Sequence, residues 1–385
     1  MRAARGRFTF LAGVFVAALS LAGCMATERT VSSDVRTSDA WAAVVLFDSM
    51  GTKSLSDAST RSARAKSLDV LALSGGGADG AFGAGVLYEW SKLGSRPKFD
   101  IVTGVSTGAL QSTFAFLGPS YDDTLKALYT CTCSRDLFAH RGVSGLLGDS
   151  LMDTEPLKAK IASIVTDEVL ERVAAEHRAG RRLYVATTNL DAGVVTVWDM
   201  GKLAASDAPG KAELYREILR ASAAVPAYFK PVMLHPVLEK PEETQMHVDG
   251  GLKAPMLLRG FMVSGPERNK NVYVLVNGAL RLRASDSAVA ASTLDIAKKS
   301  ISEMLRGLLY KTVYQSYVVV RNSHAKFKLG YVPDSVPETK NPLEFDPAEM
   351  RALFDAGREA VRAPDFWKSE PPRLEKSERV ASARP

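Results

Sequence analysis

The stretch LDVLALSGGGADGAFGAG, residues 68–85, constrains the fold most, because an apolar run there breaks into three glycines and then resumes at helical spacing. Residues 68–74 are apolar and predict a buried strand. The helix that should follow is indicated by Phe82, Val86, Leu87, Trp90 and Leu93. A glycine turn between a strand and a helix directs backbone N–H groups toward negative charge.

A second unit of the same kind follows directly. FDIVTGVS, residues 99–106, predicts a strand that enters a glycine-flanked turn, and TGALQSTFAFL, residues 107–117, predicts a helix. Two such units in about fifty residues predict an α/β fold with parallel strands. Further strands are predicted at 181–190, 193–200 and 270–280, and further helices up to Pro226, around 301–313 and after Asp346.

The glycine run allows two interpretations. Gly75 to Gly80 fits G-x-G-x-x-G, which cradles the phosphates of a dinucleotide, but the same amide groups could face the oxyanion of an acyl-transfer reaction. Dinucleotide binding needs an acidic residue at the end of a second strand about twenty residues on. Glu89 falls inside the predicted helix and Asp100 begins a strand, so the sequence disfavours this interpretation.

GVSTG, residues 104–108, is a G-x-S-x-G motif placed between a predicted strand and a predicted helix. A serine on so tight a turn needs neighbours without side chains, here Gly104 and Gly108, so that strand and helix can pass closely. The helix N-terminus adds a positive dipole near the serine oxygen. Ser106 is therefore a candidate nucleophile, which needs a base and an oxyanion hole.

The base is either a histidine or a carboxylate. His177 and His235 have the setting of surface or packing residues, while His247 or His324 could serve a Ser-His-Asp esterase. The carboxylate candidate is Asp249 in MHVDGG, although a D-G-G sequence is also an ordinary turn.

Three ordered motifs, G-G-G-x-x-G, G-x-S-x-G and D-G-G, resemble those of the patatin-like phospholipases. ASAAVPAYFKPV, residues 221–232, looks like the A-S-x-x-x-P-x-x-F block of that family, and SLMDTEPL, residues 150–157, also resembles family sequence. The likeness covers roughly residues 68–280. It implies a three-layer α/β/α sandwich with a central, mostly parallel sheet.

The resemblance also implies a Ser-Asp dyad that hydrolyses fatty acyl esters of polar lipids without a catalytic histidine, a metal or a cofactor. Ser106 would be the nucleophile and Asp249 its base. The oxyanion hole would be formed by Gly75, Gly76, Gly77, Ala78 and Gly80, with the N–H groups of Gly76, Gly77 and Ala78 as donors. The remaining motif glycines are Gly104, Gly108, Gly250 and Gly251.

The chain departs from the family at two positions of the glycine turn. Ser74 stands where many members have aspartate, and Asp79 stands where many have arginine or lysine. An acidic side chain near a developing oxyanion opposes it unless the acid is paired or points away. We expect Asp79 to affect the preference for substrate charge and the catalytic rate.

The N-terminus predicts export and lipidation. Residues 1–23 have the basic head and short apolar stretch of a signal peptide, and Leu21 to Cys24 resembles a lipobox, which makes Cys24 the acylated residue. An uncleaved transmembrane helix is the alternative. Met25, rather than aspartate, favours the outer membrane. Cleavage of the signal peptide would remove Arg2, Arg5 and Arg7 and lower the formal charge from +6 to about +3. So small a net charge gives no support to nucleic-acid binding.

The predicted domains are a signal peptide at 1–23, a lipidated tether at 24–67, an acyl hydrolase domain at 68–364 and a disordered polar tail at 365–385. Cys131 and Cys133 are expected to be unpaired. The predicted function is a membrane-anchored lipid acyl hydrolase of phospholipase A or lysophospholipase type, with membrane lipids as substrates. A low-activity lipid-binding lipoprotein of the same fold and a Ser-His-Asp esterase remain alternatives.

Overall fold

The computed structural model describes residues 45–48, 67–141, 150–234, 244–280, 289, 291–337, 339 and 341–372. The predicted signal peptide, Cys24, most of the tether, His235 and residues 373–385 of the predicted tail lie outside this part of the chain.

The strands of the described residues number eleven. They are β1 (Val45–Asp48), β2 (Ser67–Leu73), β3 (Ile101–Val105), β4 (Ala139–His140), β5 (Met152–Asp153), β6 (Arg182–Asn189), β7 (Val194–Asp199), β8 (Val232–Leu234), β9 (Gln245–Asp249), β10 (Asn269–Val276) and β11 (Lys326–Tyr331).

The α-helices of the same residues number ten. They are α1 (Gly80–Lys92), α2 (Thr107–Leu117), α3 (Asp122–Thr130), α4 (Ser134–Leu137), α5 (Glu155–Ile164), α6 (Asp167–Arg178), α7 (Met200–Ala205), α8 (Lys211–Ser222), α9 (Thr293–Asn322) and α10 (Pro347–Arg362). None of these described helices is both long and apolar enough to cross a bilayer.

Nine of the described strands form one mixed sheet in the order β1-β7-β6-β3-β2-β10-β11, with β9 paired to β6 and β8 paired to β9. The five strands from β6 to β11 in this order are parallel, and the pairs of β1 with β7 and of β7 with β6 are antiparallel. Strands β4 and β5 form a separate antiparallel pair. The parallel strands predicted for the first two units are confirmed.

Two apolar cores lie on opposite faces of the sheet. Side chains of β2 alternate between them, because Leu71 and Leu73 join one core while Val70 and Ala72 join the other. The first core packs under α1, α2, α8 and α10, and the second contacts α9 through Val313 and Val320. The predicted three-layer α/β/α sandwich is therefore confirmed.

Two sequence expectations need correction. The helix predicted to end at Pro226 ends at Ser222, because the chain after it turns to place the carbonyl oxygen of Ala224 2.8 Å from the amide of Asp249. The tail does not become disordered at residue 365. Phe366 is buried, and the ring of Trp367 lies 4.7 Å from that of Trp90, so this segment has apolar area to bury.

Two predictions about helices are confirmed. Helix α2 spans the predicted residues 107–117, and α10 begins where its cap was predicted, with Asp346 accepting hydrogen bonds from the amides of Ala348 and Glu349. Cys131 and Cys133 are free cysteines, as expected.

Candidate active site

The site is formed where two strands end beside a third. Along β6, Ala186 pairs with Val105 at the end of β3, and the next residue, Thr187, pairs with Asp249 at the end of β9. Strands β3 and β9 thus approach each other end to end on one side of β6. The residue after Val105 is Ser106, so the topology alone brings serine and aspartate together.

The two predicted catalytic side chains meet. Ser106 Oγ donates a hydrogen bond to Asp249 Oδ2 at 2.6 Å, and the amide of Gly251 donates to Asp249 Oδ1 at 2.6 Å. Both side chains are buried, Ser106 at 8% and Asp249 at 5% exposure. Burial raises the pKa of Asp249 to about 7, although the bonds from Ser106 and Gly251 act in the opposite direction. A carboxylate with this pKa can take up and return a proton near neutral pH.

The turn that carries Ser106 is strained in the way that a nucleophile elbow requires. Ser106 has φ 56° and ψ −126°, and α2 begins at the next residue. A Cβ on Gly104 would overlap the carbonyl oxygen of Gly108, and a Cβ on Gly250 would overlap that of Ala186. The close approach of strand and helix therefore explains Gly104 of the serine motif, and the close approach of β6 explains Gly250.

Ser222 braces this turn, a role that the sequence alone did not reveal. The amide of Ser106 donates to Ser222 Oγ at 3.0 Å, and Ser222 Oγ donates to the carbonyl oxygen of Ala186 at 2.7 Å. Ser222 lies in the ASAAVPAYF block, so the motif pointed to the residue without indicating what it contacts. Ser222 thus gives the backbone amide of the strained turn a fixed hydrogen-bond acceptor.

The glycine loop offers fewer free donors than expected. The amides of Gly75 and Ala78 donate to the carbonyl oxygens of Pro255 and Pro342 at 2.9 and 2.8 Å, and the amide of Gly80 bonds within its own turn. Within the described chain, the amides of Gly76 and Gly77 donate no hydrogen bond. The expectation for Gly75, Ala78 and Gly80 is thus corrected, because their N–H groups are occupied.

The two departures in this loop have partners. Asp79 Oδ1 accepts a hydrogen bond from Thr339 Oγ1 at 2.6 Å. Ser74 Oγ donates to the carbonyl oxygen of Gly75 at 2.7 Å and accepts from the amide of Asn277 at 2.9 Å. Asn277 also donates from Nδ2 to the carbonyl oxygen of Ser74 at 2.9 Å, so it ties the loop to the end of β10.

The comparisons with known proteins identify a family for this chain. A family model described as patatin-like phospholipase matches residues 71–262. The chain belongs to the patatin-like phospholipase family. Among solved structures, the crystal structure of VipD from Legionella pneumophila is similar at 12% identity and a TM-score of 0.38, over 77% of this chain and 67% of that one. No curated protein matches.

Membership of the patatin-like family supports lipid ester hydrolysis in general terms. Among the described residues, no three His, Cys, Asp or Glu side chains are grouped closely enough to hold a metal ion.

The histidines of this patatin-like chain have other surroundings. His247 is fully buried, with Nδ1 2.9 Å from Thr187 Oγ1, and burial lowers its pKa to about 3. Burial likewise lowers the pKa of His177 to about 4. Of the histidines whose side chains the structure describes, His177, His247 and His324, none is hydrogen-bonded to Ser106.

Two cavities meet at Ser106 and Gly77. The larger, of about 220 Å³, has the charged residues Asp79 and Arg306 and the apolar α9 residues Leu305 and Leu309 in its walls. The smaller, of about 40 Å³, is walled almost entirely by apolar and aromatic side chains. An ester bond placed at Ser106 would therefore have a mixed cavity on one side and an apolar one on the other.

Proposed function

We propose that this patatin-like protein is a lipid acyl hydrolase that uses Ser106 as nucleophile and Asp249 as its base. The observation that carries the proposal is the 2.6 Å hydrogen bond from Ser106 Oγ to Asp249 Oδ2. The raised pKa of Asp249, about 7, supports it because a base of ordinary acidity would take the hydroxyl proton less readily.

The first half of the reaction forms an acyl-enzyme. Ser106 Oγ attacks the ester carbonyl while its proton passes to Asp249 Oδ2, and the new negative charge develops on the carbonyl oxygen. The unoccupied amides of Gly76 and Gly77 are the donors for that oxygen. Asp249 then returns the proton to the departing alcohol as the bond between carbonyl carbon and ester oxygen breaks.

The second half releases the fatty acid. Asp249 takes a proton from water, the water oxygen attacks the acyl carbon, and the proton returns to Ser106 Oγ as the acyl–serine bond breaks. One carboxylate thus serves both halves, and no histidine is needed.

Phospholipids or lysophospholipids are the proposed substrates, and the proposed setting is the bacterial cell envelope, most simply the outer membrane, with Cys24 as the lipid anchor. The polar lining of the larger cavity, which includes Asp79, Thr339 and Arg306, supports a substrate with a polar headgroup.

The test is fatty acid release from phospholipid vesicles and from lysophospholipid micelles by wild type, Ser106→Ala and Asp249→Asn. Each substitution should lower kcat/KM about 10³-fold or more, which is about 4 kcal/mol, since each removes a group that acts in the transition state. Ser264→Ala changes an exposed serine and serves as the matched control. Turnover retained by Ser106→Ala would refute the proposal.

Two further outcomes separate the alternatives. Loss of turnover in His324→Ala or His247→Ala, with folding intact, would favour a Ser-His-Asp esterase. Binding of vesicles by wild type without any fatty acid release would favour the lipid-binding lipoprotein.

A further inference from the structure

The smaller cavity begins at the reactive serine and extends into the first core. Besides Ser106 and Gly77, its walls include Leu110, Leu128, Leu137, Leu157 and Val225. All but the half-buried Leu110 are buried side chains of helices α3, α4 and α5 or of the segment after α8. The cavity therefore connects the serine with an apolar interior.

The hydroxyl groups of Thr107 and Tyr129 in these walls are already paired. Thr107 Oγ1 and Tyr129 Oη lie 2.5 Å apart, and Tyr129 Oη also donates to the carbonyl oxygen of Thr107 at 3.1 Å. Both hydroxyl protons are therefore already donated within the protein. The larger cavity, by contrast, has Asp79 and Arg306 in its walls. Beyond Ser106 and Gly77, the mostly apolar walls of the smaller cavity favour a hydrocarbon.

Three aromatic rings form one continuous wall of the smaller cavity. The rings of Phe138 and Phe229 are stacked with centroids 4.2 Å apart and an interplanar angle of 20°, and Phe345 meets Phe138 edge-on at 5.6 Å. Phe138 and Phe229 are both buried. The stacked rings are therefore an apolar boundary of the cavity.

The two sequence blocks that the catalytic pair leaves unexplained hold this wall in place. Phe229 belongs to ASAAVPAYF and bridges to Met152 of SLMDTEPL. The amide of Met152 donates to the carbonyl oxygen of Tyr228 at 2.9 Å, and Arg220 Nη1 donates to Thr154 Oγ1 at 3.1 Å. Leu157, from the second block, lines the same cavity as Phe229. The blocks thus converge on the cavity wall.

We propose that the smaller cavity binds the acyl chain of the substrate ester and that the Phe138–Phe229 stack sets the chain length that fits. This inference rests on the proposed acyl hydrolase function. A volume of about 40 Å³ holds about three groups of water size, so the methylenes nearest the carbonyl fill it. Short and medium acyl chains are therefore the preferred ones, and longer chains must displace the stack.

The experiment measures kcat/KM for a series of p-nitrophenyl esters from acetyl to palmitoyl. Wild type should be most active on a short or medium ester. Phe138→Ala and Phe229→Ala should move the optimum to longer chains, with about a fourfold gain for each methylene that becomes buried, the equivalent of about 0.8 kcal/mol. The ratio of palmitoyl to butyryl turnover should rise on the order of tenfold.

Matched variants keep the outcome interpretable. Phe261→Ala removes a ring that packs on Tyr184 on the opposite face of the sheet, and it should leave the chain-length profile unchanged. Phe138→Trp should shorten the optimum. Retained turnover of the acetyl ester shows that each variant is folded and catalytically competent.

The two failures are distinguishable. If wild type hydrolyses none of the esters, the proposed function fails. If wild type is active but its profile stays the same in Phe138→Ala, Phe229→Ala and Phe138→Trp, the assignment of the acyl site is overturned and the hydrolase function stands.

Discussion

At the scale of single residues, the free-energy cost of burying an ionisable group in the site falls mainly on Asp249. Its carboxyl group lies in a buried position with two hydrogen bonds, from Ser106 and Gly251, and burial outweighs both in raising its pKa to about 7. Acyl transfer requires the ionised form, because a protonated carboxyl cannot accept the serine proton. The proposed base is thus a residue whose neutral, protonated form is favoured by its burial in the folded protein.

We expect kcat/KM on a soluble short-chain ester to rise with pH through about 7 and then level off, because Asp249 becomes ionised over that range. A pH–rate profile measures this directly. A rate that is flat between pH 5 and 8, with chemistry as the slow step, would contradict the assigned base.

The free energy of unfolding should change with pH in the direction opposite to kcat/KM. Between the ordinary aspartate pKa of 3.8 and about 7, the native state retains a proton that the unfolded chain releases, so the contribution of Asp249 to the free energy of unfolding falls as pH rises. Asp249→Asn should therefore become more stable than wild type as pH rises through this window, by on the order of a few kcal/mol above pH 7. Denaturant titrations at several pH values provide the comparison.

At the scale of elements, the sequence predicted local structure but not the contacts between residues that are far apart along the chain. The strand, turn and helix around Ser106 were predictable because glycine spacing and apolar periodicity are local. Ser222 is 116 residues from Ser106, and Thr339 is 260 residues from Asp79. These contacts depend on how the elements pack, and the spacing of residues in a single sequence gives no signal of that packing.

The contact of α1 with α10 is a packing feature of this kind. A Cβ on Gly85 would overlap the carbonyl oxygen of Phe354, and a Cβ on Gly357 would overlap that of Phe82, so the two helices cross backbone to backbone. Glu89 joins the same pair of helices through Arg358 at 3.0 Å and Arg362 at 2.7 Å. The glycines set the distance between the helices.

Gly85→Ala should lower the free energy of unfolding by about 1–3 kcal/mol, because the added methyl group forces α1 and α10 apart. Gly307→Ala in α9 is the control. An added Cβ there meets no atom within 4 Å, so better helix propensity should raise stability by up to about 1 kcal/mol. Equal stabilities of Gly85→Ala and wild type in denaturant titrations would show that the crossing tolerates a side chain.

At the scale of the whole molecule, the fold extends beyond the segment that carries the family motifs. The family match ends at residue 262, yet β10 and β11 continue the same sheet beside β2, and Pro342 and Leu343 line the cavity at Ser106. Described residues well beyond position 262 therefore contribute to the sheet and to the site. The N-terminal region carries the predicted lipobox, through which we propose that the protein is held at its substrate.

We expect Cys24→Ser to separate membrane attachment from chemistry. Several acyl chains on one cysteine give durable attachment at about 0.8 kcal/mol per buried methylene, and serine at this position would not be lipidated. The variant should move from the membrane fraction to the soluble fraction and lose turnover of bilayer phospholipid, while it keeps wild-type kcat/KM on a soluble short-chain ester. Because Ser106 and Asp249 lie far along the chain from Cys24, a parallel loss on the soluble ester would mean that the N-terminal region supports the active site itself and would contradict a purely anchoring role.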